Sequence, residues 1–121
     1  MREMEEKVKV STLLMSMGIL PSMAGFKYIK GTAMMYERYK GCMKDICEEL
    51  GREYKTNGAA VEKDMRSAIG IALRRGWLKK MNEIMGVEYL SEGYKPTNKE
   101  FIATLLEMLK LLGDDVVLKR Y

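Results

Sequence analysis

Three residues within one helical turn, Glu62, Lys63 and Arg66, combine an acceptor carboxylate with two cationic donors. On one helix face such a set can pair with base edges in a DNA major groove. A glutamate accepts from cytosine N4, and a lysine or arginine donates to guanine O6 and N7. Groups suited to phosphate oxygens surround them: Lys55, Thr56 and Asn57 before the trio, and Arg74, Arg75, Lys79 and Lys80 after it. Charge is concentrated in the same stretch. From Lys55 to Lys80 there are seven basic and two acidic residues, a balance of +5, whereas the other 95 residues, with 14 basic and 15 acidic, sum to −1. One basic segment on a nearly neutral body is the footprint of a phosphate-binding surface. Any solvated amphipathic helix also presents a charged face, so the elements that carry these residues have to decide between the two.

Other chemistries find little support. The chain has no histidine, which removes the commonest general base and the usual partner of a nucleophile. Its two cysteines, Cys42 and Cys47, stand five apart, which on a helix sets them ~140° apart around the axis. With no further thiol or imidazole they cannot complete a zinc site, so they read as reduced thiols, Cys47 in the core. There is no phosphate-cradling glycine loop and no convincing carboxylate pair. Neither enzyme activity nor a metal or cofactor is expected. At 121 residues and 47% apolar composition, one domain over 1–121 with its core in about 10–112 is expected. No apolar run approaches the ~18 residues that span a bilayer. The acidic start, Met1-Arg2-Glu3-Met4-Glu5-Glu6, is unlike a secretory signal. The expected location is cytoplasmic, on the nucleoid, with no membrane partner.

The elements that must position these groups are helical throughout. Apolar residues recur at three and four, and glycines fall where the pattern stops. Six helices are expected. The first, about 4–17, sets Val10, Leu13, Leu14 and Met17 inward. The second opens at Gly25-Phe26, buries Phe26, Ile29, Ala33 and Tyr36, and ends near Gly41. The third begins near Cys42 with Met43, Ile46, Cys47, Leu50 and Tyr54 on one side. The fourth, about 57–75, buries Val61, Met65, Ala68, Ile69 and Ala72. A short fifth, 77–85, carries Leu78, Met81 and Ile84. The sixth starts at Thr97, which with Glu100 forms a capping box; Phe101, Ile102, Leu105, Leu106, Leu109 and Leu112 form its stripe up to Gly113.

Helices three and four read together as a helix-turn-helix over roughly 43–75. Gly51 provides a small residue where the two would pack closely, and Lys55-Thr56-Asn57-Gly58 supplies the turn, with Thr56 or Asn57 as N-cap. The inward set of helix four leaves Ala59, Glu62, Lys63, Arg66, Gly70 and Arg74 on the opposite face, where a recognition helix meets bases with its N-terminal part.

Four collinear motifs then carry a family resemblance. Val61-Glu62-Lys63-Asp64-Met65-Arg66-Ser67-Ala68-Ile69, continuing to Ala72 and Arg75-Gly76, resembles the recognition helix in the effector domain of sporulation-initiation response regulators (the stage 0 sporulation protein A family of endospore-forming Firmicutes). Lys95-Pro96-Thr97-Asn98 with Glu100-Phe101-Ile102-Ala103 is similar to the start of that family's last helix. Gly25 to Lys30 is similar to the opening of its second helix, and Met17-Gly18-Ile19 to the end of its first.

The resemblance implies a compact six-helix bundle with helices three and four as the DNA-binding unit. It also implies binding to short boxes of the TGTCGAA type in tandem head-to-tail copies, dimers on DNA, and a contact with the polymerase sigma subunit in the stretch holding Trp77, Lys80 and Met85. The family reads bases with the pattern Arg-Val-Glu-Arg and an arginine three residues later. Glu62 and Arg66 match it; Lys63 replaces an arginine without its planar fork, and Ala60 stands where the first arginine would be. The family's phospho-receiver domain has no room in 121 residues, so the chain is expected to be an excised or a stand-alone effector domain. The alternative is a helical protein-interaction module that modulates a full-length regulator or sigma subunit without strong DNA binding of its own; Ala60 favours it.

Overall fold

The structure is a computed structural model that describes residues 2–76, 79, 82–83, 86 and 95–113. Among these residues every regular element is a helix, and there are five: α1 (Arg2–Ser16), α2 (Ala24–Met35), α3 (Met43–Glu53), α4 (Gly58–Arg74) and α5 (Asn98–Leu112). Six were expected. The helix expected over 77–85 lies mostly outside the described residues, of which Lys79, Asn82 and Glu83 are helical.

α2 is the hub, packing against each of the other four helices. Its residues explain why. Gly25 lets the backbone of α2 lie against α4, where a Cβ would run into the Asp64 carbonyl oxygen and come 2.7 Å from the Ala68 Cβ. Further along, Thr32 is fully buried; its hydroxyl donates to the Tyr28 carbonyl at 2.7 Å and meets the Met65 sulfur at 3.4 Å. The bond back to its own helix satisfies the polar atom and lets the methyl pack. Around this axis Leu13, Leu14, Ile19, Ile29, Ile46, Leu50, Val61, Met65, Phe101, Ile102 and Leu105 form one continuous core. Each large side chain there stabilises by roughly 1.5–3 kcal/mol.

The inward faces of α1 and α4 are as their periodicity requires: Val10, Leu13 and Leu14, with Met17 just past the end of α1, and Val61, Met65, Ala68, Ile69 and Ala72, are all buried. Three expectations need correction. Regular helix in α2 ends at Met35, and 36–41 form a turn with Tyr36 only half-buried. Tyr54, expected inward, is the C-cap of α3, where the chain leaves helical geometry, and stays 40% exposed. In α5 Met108 is buried while Leu106, Leu109 and Leu112 are half-buried at the margin of the core.

Thr97 and Glu100 form the expected capping box: the Glu100 N–H donates to Thr97 Oγ1 at 3.1 Å, and the Thr97 N–H to Glu100 Oε1 at 2.8 Å. Two of the otherwise unpaired amides at the start of α5 are thereby satisfied.

Candidate nucleic-acid interface

α3 and α4 are joined by residues 54–57, and the local sequence sets this turn in three ways. Lys55 adopts a left-handed backbone, φ +58°. That brings the Thr56 N–H to the Gly51 carbonyl at 2.7 Å and the Lys55 N–H to the Arg52 carbonyl at 3.4 Å, the bonding of a Schellman helix end. Gly51 then lies against the turn itself: a Cβ there would fall 2.8 Å from the Asn57 carbonyl carbon and 3.0 Å from the Asn57 Cα. Asn57 starts α4, its side-chain oxygen accepting from the Ala60 N–H at 2.9 Å.

α4 is held from both sides. Gly25 of α2 touches it at Asp64, and on the other flank Asn98 Nδ2 donates to the Glu62 main-chain oxygen at 3.1 Å. The face between these flanks carries Ala59, Lys63 and Arg66, with Glu62 at its α5 edge. Lys63 is exposed and has no ion pair among the described residues. Glu62 and Arg66 pair with each other, Oε1 to Nη2, at 2.9 Å, with side chains 56% and 66% exposed. Arg74 is exposed on the same side of the helix, its guanidinium lying back over Gly70.

The other residues singled out in the sequence have different surroundings. Lys55, Thr56 and Asn57 are all exposed in the turn, although Asn57 is engaged as the helix cap. Arg75 donates from Nη1 to the Gly18 carbonyl at 3.0 Å, tying the end of α4 to the end of α1. Lys79 is exposed; Trp77, Lys80 and Met85 lie outside the described residues.

Periodicity gave no sign of several neighbours. Asn98 was visible only as part of a helix start; that it lands on α4 is a tertiary fact. Lys27 stands over the turn, its Nζ 4.7 Å from the Tyr54 ring centroid and 5.2 Å from that of Tyr28, and the two rings meet edge to face at 5.4 Å. The Tyr28 hydroxyl has its pKa raised, by burial first and by Asp64 and Tyr54 next, and so stays protonated. Lys44 and Lys99 line a groove of about 780 Å³ between the starts of α3, α4 and α5.

The cysteines differ sharply. Cys42 is exposed, whereas Cys47 is buried where α3 meets the start of α4. Burial, with a smaller push from Glu62, raises the Cys47 thiol to about 11, so it is an uncharged packing group at neutral pH. Among the described residues no grouping of acidic or cysteine side chains is suited to a metal ion, and no helix is long and apolar enough to cross a membrane.

The arrangement is thus a helix seated between two packed flanks, offering an acceptor and two cations on a face left exposed among the described residues, with one cation, Lys55, in the turn before it. Comparison with protein families identifies the chain: the family described as sporulation initiation factor Spo0A C terminal matches residues 10–109. With so much of its 121 residues matched, the chain belongs to the Spo0A C-terminal family, whose members are DNA-binding domains of sporulation regulators and not enzymes.

Proposed function

We propose that this chain binds duplex DNA sequence-specifically, with α3 and α4 as its helix-turn-helix and α4 in the major groove. Glu62, Lys63 and Arg66 read base edges; Lys55, Thr56 and Arg74 contact phosphates, with Lys79 and Lys80 beyond. Asn57 contributes as the cap that orients the first turn, and Arg75 has donors left for a phosphate beyond its bond to Gly18.

The observation that carries this reading is the state of the α4 face. The Glu62–Arg66 pair holds the guanidinium outward, yet so exposed a pair stabilises by only about 0.2–1 kcal/mol. Bidentate pairing with guanine is worth about 1–3 kcal/mol of discrimination, so a cognate base takes Arg66 from Glu62. The freed carboxylate can then accept from cytosine. Lys63 supplies a point charge without a fork, and Ala60, half-buried behind the Asn57 cap, adds no base contact. The box read by this chain is therefore looser at those two positions than the family's TGTCGAA type. Tandem boxes would seat two copies side by side as a dimer on DNA, and the stretch with Trp77, Lys80 and Met85 would meet the sigma subunit.

Fluorescence anisotropy against a duplex with two tandem boxes and a scrambled duplex, each at two salt concentrations, tests the proposal. Tighter binding to the boxes is expected, and Arg66→Ala should weaken it by about 1–3 kcal/mol and relax preference at one base pair. Unchanged affinity and preference in that variant would remove α4 as the reader. No binding to either duplex at low salt would favour the protein-interaction module, which a pull-down with a full-length regulator or sigma subunit would then detect.

A further inference from the structure

The geometry points to a second element of the DNA interface, the first turn of α5: Lys99, together with Lys44 of α3, takes backbone phosphates of the strand that borders α4 on its Glu62 side. This inference rests on α4 being the reading helix.

A helix with its side chains is about 10–12 Å across and the major groove about 12 Å wide. A helix lying in that groove fills it, so whatever flanks the helix on the protein faces the sugar–phosphate rim. On the Glu62 side that flank is the start of α5, fixed there by the bond from Asn98 Nδ2 to the Glu62 main-chain oxygen at 3.1 Å. Lys99 follows Asn98 directly. Lys44 and Lys99 are exposed and line one groove with Ala59, Glu62 and Arg66 of α4.

Neither of these two lysines is held by a carboxylate among the described residues. Two carboxylates also line the groove, Glu48 and Glu62. Glu62 is engaged by Arg66 at 2.9 Å, while Glu48, four residues after Lys44 on α3, holds no ion pair among the described residues. Each lysine is also the second residue of its helix, where the helix dipole disfavours a cation. Helix stability therefore gives no reason for a lysine at 99 and only a weak one at 44, through the i,i+4 spacing to Glu48, whereas a polyanion alongside α4 gives one for both.

The test compares the salt dependence of binding to the tandem-box duplex for four proteins: wild type, the double variant Lys44→Ala/Lys99→Ala, the double variant Lys44→Arg/Lys99→Arg, and Lys110→Ala near the far end of α5. When neither phosphate is held, the slope of log Kobs against log salt should be shallower by about 2, near 0.9 for each phosphate. The ratio of box to scrambled affinity should stay unchanged, because phosphates carry no sequence. The arginine variant and Lys110→Ala should keep the wild-type slope. Circular dichroism melting, expected at or slightly above the wild-type temperature, excludes misfolding as the cause. A wild-type slope in the double alanine variant, on a duplex that wild type binds, overturns this inference alone. A loss of about 1 in Lys110→Ala, half that of the double alanine variant, overturns it too, since each removed charge would then count alike wherever it sits. If wild type binds no duplex at any salt, this inference falls together with the proposed function.

Discussion

Two turns lead into and out of α3, and they are built alike. In each, a lysine takes the left-handed conformation, Lys40 at φ +53° and Lys55 at φ +58°. In each, the residue after the lysine donates back five positions: Gly41 to Tyr36 at 2.8 Å and Thr56 to Gly51 at 2.7 Å. What differs is the space around them. The second turn presses its own backbone against Gly51, while at Gly41 in the first the atoms nearest an added Cβ belong to the Tyr36 ring, at 3.1 Å. The second turn also ends in a side-chain cap, Asn57, whereas Cys42 at the start of α3 makes no such bond. The same backbone motif thus serves once as a simple reversal and once as a rigid mount for α4.

The largest break in that comparison should come from its glycines. In Gly51→Ala the new methyl meets backbone on three atoms within 3.1 Å, and backbone cannot step aside without moving α4. A loss of about 3 kcal/mol or more is expected, read as a lower urea midpoint, with DNA affinity falling even where the protein remains folded. Gly41→Ala has a positive φ of 72° to satisfy and a tyrosine ring end that can shift, so about 1–2 kcal/mol should be lost, with DNA binding intact. Equal losses in the two variants would show that the α3–α4 contact is no tighter than an ordinary turn.

The capped and uncapped helix starts should answer in opposite directions. Asn57→Ala removes the bond to the Ala60 N–H and should destabilise by about 1 kcal/mol. Cys42→Ser places a hydroxyl at a start whose backbone, φ −76° and ψ 93°, is already extended, and should stabilise by several tenths to about 1 kcal/mol. Thermal melts of the two variants against wild type check both signs. A destabilised Cys42→Ser would show that the exposed thiol packs in a way the hydroxyl cannot reproduce.

These two turns also mark how far the sequence could be read. Around α4 its signals agreed. Gly51, a cap at Thr56 or Asn57 and the inward set from Val61 to Ala72 pointed to one arrangement; the cap is Asn57, and all of that set is buried. The Thr97–Glu100 box was equally legible because capping is a local matter of four residues. The first turn was not: Tyr36 and Tyr39 continue the apolar spacing of α2, so the pattern runs on to Gly41 although regular helix stops at Met35. A left-handed lysine leaves no mark in composition, as a glycine would. Tyr54 misled for the converse reason, since its spacing fits the inward side of α3 but the helix has already ended beneath it. The flanks of α4 were out of reach altogether. No periodicity says that Asn98 meets Glu62 or that Lys44 and Lys99 share a groove, because those relations arise only when distant helices pack.

The finest comparison is between the two left-handed lysines themselves. A non-glycine residue in that conformation costs about 1–2 kcal/mol, some of which glycine gives back in chain entropy. Lys40→Gly and Lys55→Gly should therefore each stabilise the fold by about 0.5–1 kcal/mol, seen as raised urea midpoints. Their effects on DNA binding should part. Lys40 lies in the turn that precedes α3, away from the α4 start, so its removal should leave the salt slope as it was. Lys55 sits immediately before the Thr56–Asn57 entry to α4; if it holds a phosphate, Lys55→Gly should weaken binding equally on box and scrambled duplexes and make the slope shallower by about 1. A variant that is more stable yet binds DNA less well would mean that the strain at Lys55 is kept for its charge. If Lys55→Gly gains stability with no change in slope, the two turns are equivalent in function as well as in bonding, and the phosphate contacts must lie along α4 and its flanks.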